Sequence, residues 1–162
     1  MFSNDHSKKK QRIVIIDFGS QVTKLIARRI RELKVYCEVI NLKQFEEIRN
    51  FNDIKGIVLS GGPSTVTQKI YPRISKDIFE KKIPILGICY GLQLIAKVFG
   101  GKIKKSEKKR EFGEATLIEK SNSILFSNFF INKKANVWMS HQDVVFKIPK
   151  NFKNIASTKN SK

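Results

Sequence analysis

Ile83-Pro84-Ile85-Leu86-Gly87-Ile88-Cys89-Tyr90-Gly91 runs from an apolar strand pattern into a sharp turn that carries a cysteine. Leu92, Ile95, Ala96 and Phe99 then recur at helical spacing as far as Gly100-Gly101. A short apolar run closed by a turn reads as a strand buried on both faces. Pro84 stands near its start, where a missing N–H costs least, and the glycine pair marks the end of the helix. Glycine, one residue, cysteine, one residue, glycine is the layout of a nucleophile elbow. Glycines on either side of Cys89 let neighbouring backbone approach a strained turn without a Cβ clash. The sulfur is expected to project above the carboxyl edge of the sheet, where open α/β sheets bind ligands. The N-terminus of the following helix is expected to favour thiolate and lower the thiol pKa. The competing reading, a buried cysteine between two ordinary glycines, fits poorly with a strand before and a helix after.

The same alternation extends upstream. Ile13-Val14-Ile15-Ile16 is a β-branched run closed by Asp17-Phe18-Gly19-Ser20. Val22, Leu25, Ile26, Ile30 and Leu33 follow at helical spacing, with Lys24, Arg28, Arg29, Arg31 and Glu32 on the other side. Val35 to Ile40 reads as a second strand, and Gly56-Ile57-Val58-Leu59 as a third, closed by Ser60-Gly61-Gly62-Pro63. Ser75 to Lys81 carries a weaker helical pattern. Strands alternating with helices predict an α/β fold with a parallel sheet covered on both faces. Beyond residue 101, Lys102 to Arg110 reads as a charged, exposed connection. Short strand pieces follow at Ala115 to Ile118, Asn136 to Met139, Val144 to Phe146 and Ile155 to Ser157.

The chain has 162 residues, 41% of them hydrophobic, enough for a packed core. No apolar run approaches the roughly 20 residues of a membrane helix, and the polar, basic start has no apolar leader core. The expected compartment is the cytoplasm, and two free cysteines at unrelated positions fit a reducing one. The net charge of +18 raises nucleic acid as a partner. The lysines are scattered from Lys8 to Lys162, however, and form no single basic stripe, which argues for a solvated surface instead.

A thiolate attacking an amide needs an oxyanion site and a general base. The backbone N–H of Tyr90 is one natural donor. Gly61 and Gly62, at the end of the preceding core strand, can offer another. The chain holds two histidines, His6 in the tail and His141. On residue chemistry alone His141 is open to two readings, as the base with Asp143 orienting it, or as a binding or structural residue. Cys37 lies inside a strand pattern and reads as core. Asp17 to Gln21 lacks both dinucleotide and P-loop glycine patterns.

Ser60-Gly61-Gly62-Pro63 and Gly87-Ile88-Cys89-Tyr90-Gly91-Leu92-Gln93 resemble, in kind, order and spacing, the motifs of class I glutamine amidotransferases. Ile16-Asp17-Phe18-Gly19-Ser20-Gln21, Arg110-Glu111-Phe112-Gly113 and Val137-Trp138-Met139-Ser140-His141 are similar to one branch of that family, the amidotransferase domains of glutamine-hydrolysing GMP synthases. The resemblance runs from about Arg12 to Thr158. It implies a flavodoxin-like open sheet, mostly parallel, with helices on both faces, and a Cys-His-Glu triad with Cys89 as the catalytic nucleophile. Tyr90, Gly61 and Gly62 match the oxyanion region, and Gln93, Ser140 and His141 match positions lining the glutamine pocket. The family's catalytic histidine and glutamate lie in a later His-Pro-Glu motif that nothing here matches, so the resemblance moves the base from His141 to beyond Lys162.

The chain then reads as a basic flexible tail, 1–11, followed by an amidotransferase domain, 12–162, truncated at its C-terminus and inactive by itself. The synthetase (ATP-pyrophosphatase) and dimerisation domains would be absent. The resemblance implies glutamine as substrate and no cofactor in this domain. It places ATP and magnesium in the synthetase domain, where ammonia converts adenylated XMP to GMP, and a homodimer contact in the C-terminal domain. Two alternatives stand beside it. One is an amidotransferase of another pathway, such as anthranilate or CTP synthesis, against which the motifs at 17–21 and 138–141 argue. The other is a non-catalytic basic binding module.

Overall fold

A computed structural model describes residues 11–105, 111–141 and 143–161. Residues 1–10 of the expected tail at 1–11, His6 among them, and Arg110 with the rest of 106–110 lie outside the described residues. The chain forms two compact units, Met1–Ser64 with Ile70–Leu94, and Thr65–Lys69 with Ile95–Lys162.

The first unit is built on strands β1 (Arg12–Asp17), β2 (Cys37–Asn41), β3 (Ile54–Leu59) and β4 (Ile85–Gly87). They form one parallel sheet in the order β2-β1-β3-β4. Val14, Ile15 and Ile16 are all fully buried. Successive strand residues point to opposite faces, so both faces of β1 are covered. On one face Ile15, Val58 and Cys37 pack with Ala27 of helix α1 (Thr23–Glu32), with Ile13, Ile26, Ile30 and Ile88 around them. On the other, Val14, Ile16, Ile57 and Leu59 are buried, and Leu59 meets Gly91 at the start of helix α4 (Tyr90–Val98). Each such side chain contributes about 1.5–3 kcal/mol by leaving water. The polar side of α1 carries Arg28–Glu32 and Arg29–Glu32 pairs, both at 2.9 Å and open to solvent, so water and salt screen them.

Two short helices complete this unit. Helix α2 (Leu42–Glu46) was not evident in the sequence pattern; it is opened by a capping box between Asn41 and Gln44. Helix α3 (Asp77–Glu80) lies inside the weaker pattern at 75–81. Strand β4 is shorter than its apolar run, since Pro84 stays outside the ladder and offers only its carbonyl, to Ile57 N–H at 3.0 Å.

The second unit is antiparallel. Strand β5 (Lys102–Lys105) pairs with β8 (Asp143–Lys147), and β6 (Glu111–Glu119) lies between β7 (Lys134–His141) and β9 (Ala156–Ser157). The start of the expected exposed connection at 102–110 is therefore a strand. Ile103 is its one apolar residue and sits opposite Val145; the three lysines around it hid the alternation.

Candidate active site

Cys89 sits between β4 and α4 with φ +50°, the left-handed region. A cysteine there costs about 1–3 kcal/mol unless its surroundings hold it. Four backbone hydrogen bonds do so. Ile88 N–H donates to Leu59 O at 2.9 Å, Gly91 N–H to Ser60 O at 3.1 Å and to Ile88 O at 3.0 Å, and Gln93 N–H to Cys89 O at 3.1 Å. Gly91 is compulsory: a Cβ there would stand 2.2 Å from Leu59 O and 2.6 Å from Leu59 Cβ. The turn therefore presses α4 onto the end of β3 and leaves Cys89 exposed at the carboxyl edge of the sheet.

The segment after β3 runs alongside. A Cβ on Gly61 would lie 3.5 Å from Cys89 Cβ and 3.4 Å from Ser20 Oγ. One on Gly62 would strike Phe18 O at 2.5 Å. Phe18 and Ser20 belong to the β1–α1 turn. Asp17 shapes that turn, its Oδ1 accepting from Gly19 N–H (2.9 Å), Ser20 N–H (3.3 Å) and Thr23 Oγ1 (2.7 Å). Among the described residues the backbone N–H groups of Gly62 and Tyr90 have no protein acceptor. The Tyr90 side chain is committed elsewhere. It is buried, its ring stands edge-on to Phe18 at 5.2 Å, and its hydroxyl donates to Pro72 O. Burial, and secondarily the neighbouring Tyr71, push its pKa up to about 12.

Burial also pushes the Cys89 thiol above its ordinary value. This corrects the expectation of a lowered pKa. Although the residue is exposed at the sheet edge, surrounding groups shield it in part from water, a tertiary effect that a local strand–turn–helix reading does not contain. A protonated sulfur needs a base before it can attack.

Gln93 lies one turn along α4 from Cys89. It is 8% exposed, and its Oε1 is buried without a hydrogen-bond partner among the described residues. An orphaned buried acceptor costs about 1–3 kcal/mol, and a ligand N–H would relieve it.

Cys89, Tyr90, Gly61, Gly62 and Gln93 are thus brought together in the first unit. Ser140 and His141 are consecutive on β7 in the second, opposite Phe112 and Glu111; the His141 side chain lies outside the described residues. Asp143, considered as the orienter of His141, accepts instead from Thr65 Oγ1. Cys37 is core as expected, its Sγ 3.5 Å from Ala27 O. Asp17 and Ser60 were missed as individual site residues, although the turn Asp17-Phe18-Gly19-Ser20 and the motif Ser60-Gly61-Gly62-Pro63 carried the signal. Among the described residues no cluster of three or more His, Cys, Asp or Glu could hold a metal, and no helix is long and apolar enough to cross a membrane.

Chemically, an exposed cysteine in a turn flanked by backbone N–H groups that have no protein acceptor among the described residues can add to a carbonyl while such donors hold the oxygen that gains charge. Known proteins agree in kind. The family model for class-I glutamine amidotransferase matches residues 14–162. The glutamine-hydrolysing GMP synthase of Borrelia garinii subsp. bavariensis is 50% identical over 150 residues, which is 91% of this chain and 28% of that protein. Its counterpart in Spiroplasma kunkelii is 46% identical over 154 residues, 95% of this chain and 30% of that protein. The chain thus spans less than a third of the length of these relatives. Among solved structures, a Thermoplasma acidophilum protein assigned as one component of a GMP synthase superposes with TM-score 0.77 at 27% identity, covering 96% of this chain and 77% of the other. A glutamine amidotransferase from Thermotoga maritima has the same fold, with TM-score 0.75 at 22% identity, over 94% of this chain and 69% of its own. With nearly the whole length matched and the elbow built as the motif requires, the chain belongs to the class I glutamine amidotransferase family.

Proposed function

We propose that this chain is the glutamine-hydrolysing part of a synthase that makes GMP, and that Cys89 is its nucleophile. The observation carrying the reading is the exposed Cys89 at φ +50° beside Gly61, with the Gly62 and Tyr90 N–H groups free of acceptors among the described residues. The identity of 46–50% to proteins named GMP synthase supports this branch of the family over anthranilate or CTP synthesis.

In the proposed reaction a base takes the Cys89 proton and the sulfur attacks the side-chain amide carbon of glutamine. The carbon–sulfur bond forms as the carbonyl π pair moves onto oxygen, where the Gly62 and Tyr90 N–H groups receive it. Collapse expels the amide nitrogen, which leaves as ammonia with the proton returned by the base. Water then hydrolyses the thioester to glutamate and free thiol. Gln93 Oε1 accepts an N–H of the bound glutamine, and by the family resemblance Ser140 and His141 are residues of glutamine binding. The family resemblance assigns the base to an imidazole of the His-Pro-Glu motif, and neither His6 nor His141 matches it. By the same resemblance ammonia passes to an ATP-pyrophosphatase domain, where ATP and magnesium activate XMP, in a homodimeric enzyme.

The test is Cys89→Ala in the protein at its natural full length. Glutamine-dependent GMP formation and glutamate release should both vanish while synthesis from ammonium salts persists. Retained glutamate release would sink the assignment.

A further inference from the structure

We propose that Ser60 is a positioning residue that holds the Gly61–Gly62 peptide in the orientation needed to receive the oxyanion. The inference rests on the function proposed above and adds a residue to it.

Ser60 is fully buried at the end of β3, and every polar group it has is engaged. Its N–H donates to Ile16 O at 3.1 Å, and its carbonyl accepts from Gly91 N–H at 3.1 Å. Its Oγ accepts from Phe18 N–H at 3.1 Å and donates to Gly61 O at 2.8 Å. One residue therefore ties together the sheet, the β1–α1 turn, the elbow and the next peptide. The last of these bonds has directional consequences. Among the described residues no cis peptide occurs, and in a trans peptide the N–H points away from the preceding C=O. Fixing the Gly61 carbonyl on the buried Ser60 hydroxyl therefore fixes the Gly62 N–H on the opposite side.

That peptide lies between two glycines, which lack the Cβ atoms that would restrict its rotation. Among the described residues the Gly61 carbonyl accepts no backbone N–H. The Ser60 hydroxyl is accordingly the hydrogen-bonded restraint, alongside the close packing of Gly62 on Phe18, against a coupled rotation that would exchange N–H for C=O beside Cys89. A carbonyl there would repel the developing negative charge.

Two probes separate orientation from general integrity. An aldehyde analogue of glutamine, glutamate γ-semialdehyde, adds the Cys89 thiol across its C=O. The carbon–sulfur bond forms, the thiol proton passes to the new oxygen, and that oxygen occupies the oxyanion site. Iodoacetamide alkylates the same sulfur with loss of iodide and builds no oxyanion. In the full-length protein, Ser60→Ala should weaken aldehyde binding and lower kcat by about tenfold, less than the 10²–10³ that removal of a whole oxyanion donor costs. KM for glutamine and the iodoacetamide rate at Cys89 should stay within about twofold, since neither depends on oxyanion donation. Ser60→Thr keeps the hydroxyl and should restore aldehyde binding. If circular dichroism shows Ser60→Ala unfolded, Ser60→Cys, slightly larger and with only a weak donor, takes its place and should show the same loss of aldehyde binding. Unchanged aldehyde affinity and kcat, or an equal loss with both probes, would overturn the role of Ser60 alone. A wild-type Cys89 that reacts with neither glutamine nor the aldehyde would overturn the parent reading as well.

Discussion

Replacing Gly91 by alanine should damage fold and chemistry together, and the size of the effect follows from two distances. The added Cβ would lie 2.2 Å from Leu59 O and 2.6 Å from Leu59 Cβ. Non-bonded carbon contacts are comfortable near 3.5–4.0 Å, so the groups must part by roughly 1 Å. Leu59 cannot yield cheaply. It is wholly buried, is held in register with Ile16 and Gly87, and its carbonyl accepts from Ile88 N–H. The start of α4 moves instead, lengthening the bond from Gly91 N–H to Ser60 O and carrying Cys89 away from Gly61. Overpacking of this kind costs about 1–3 kcal/mol or more. At roughly 2–4 °C per kcal/mol for a domain of this size, melting should fall by about 2–12 °C. Displacing a reacting atom by about 1 Å can cost 10²-fold in rate. The assays are thermal denaturation and paired synthesis measurements with glutamine or ammonium as nitrogen donor. Melting should drop and the glutamine-dependent rate should fall by about 10²-fold, with the ammonium-dependent rate spared. A Gly91→Ala protein that melts like wild type and uses glutamine within twofold of wild type would refute this account of the elbow.

Two further outcomes follow from the same site. Burial raises the thiol pKa of Cys89, so without substrate the rate of iodoacetamide alkylation should climb with pH to a midpoint above that of an ordinary cysteine. A midpoint at or below the ordinary value would show that the α4 N-terminus outweighs desolvation. Gln93→Met removes a buried acceptor that has no partner in the absence of ligand; KM for glutamine should rise about tenfold, the scale of one hydrogen bond, while melting holds or improves. An unchanged KM would detach Gln93 from the substrate.

Much of this was legible because the relevant forces are periodic or local. The β-branched run at 13–16 and the stripe Val22, Leu25, Ile26, Ile30 and Leu33 predicted β1 and α1 because burial repeats at their spacing. Val22, Leu25 and Leu33 nevertheless prove exposed, and Ala27, outside the predicted stripe, is the buried residue between Ile26 and Ile30. The elbow was legible because its sharp turn and close approach to Leu59 demand small residues around Cys89. What escaped has equally physical causes. Helix α2 has five residues, too few for a periodic signature, and depends on the Asn41–Gln44 cap. Strand β5 carries its period on Ile103 alone. The direction of the Cys89 shift depends on how closely other groups surround the residue, which adjacency in sequence does not reveal. The roles of Ser60 Oγ and of the orphaned Gln93 Oε1 are relations between a side chain and distant or missing partners.

The central claim is that Cys89 forms a covalent bond with the glutamine carbonyl carbon. Its most direct test is acid quenching of the full-length protein during turnover of carbon-labelled glutamine, followed by peptide mapping. The account predicts a hydroxylamine-labile γ-glutamyl label on the peptide containing Gly87-Ile88-Cys89-Tyr90-Gly91. Release of labelled glutamate with no label on that peptide, or with the label on another residue, would contradict it.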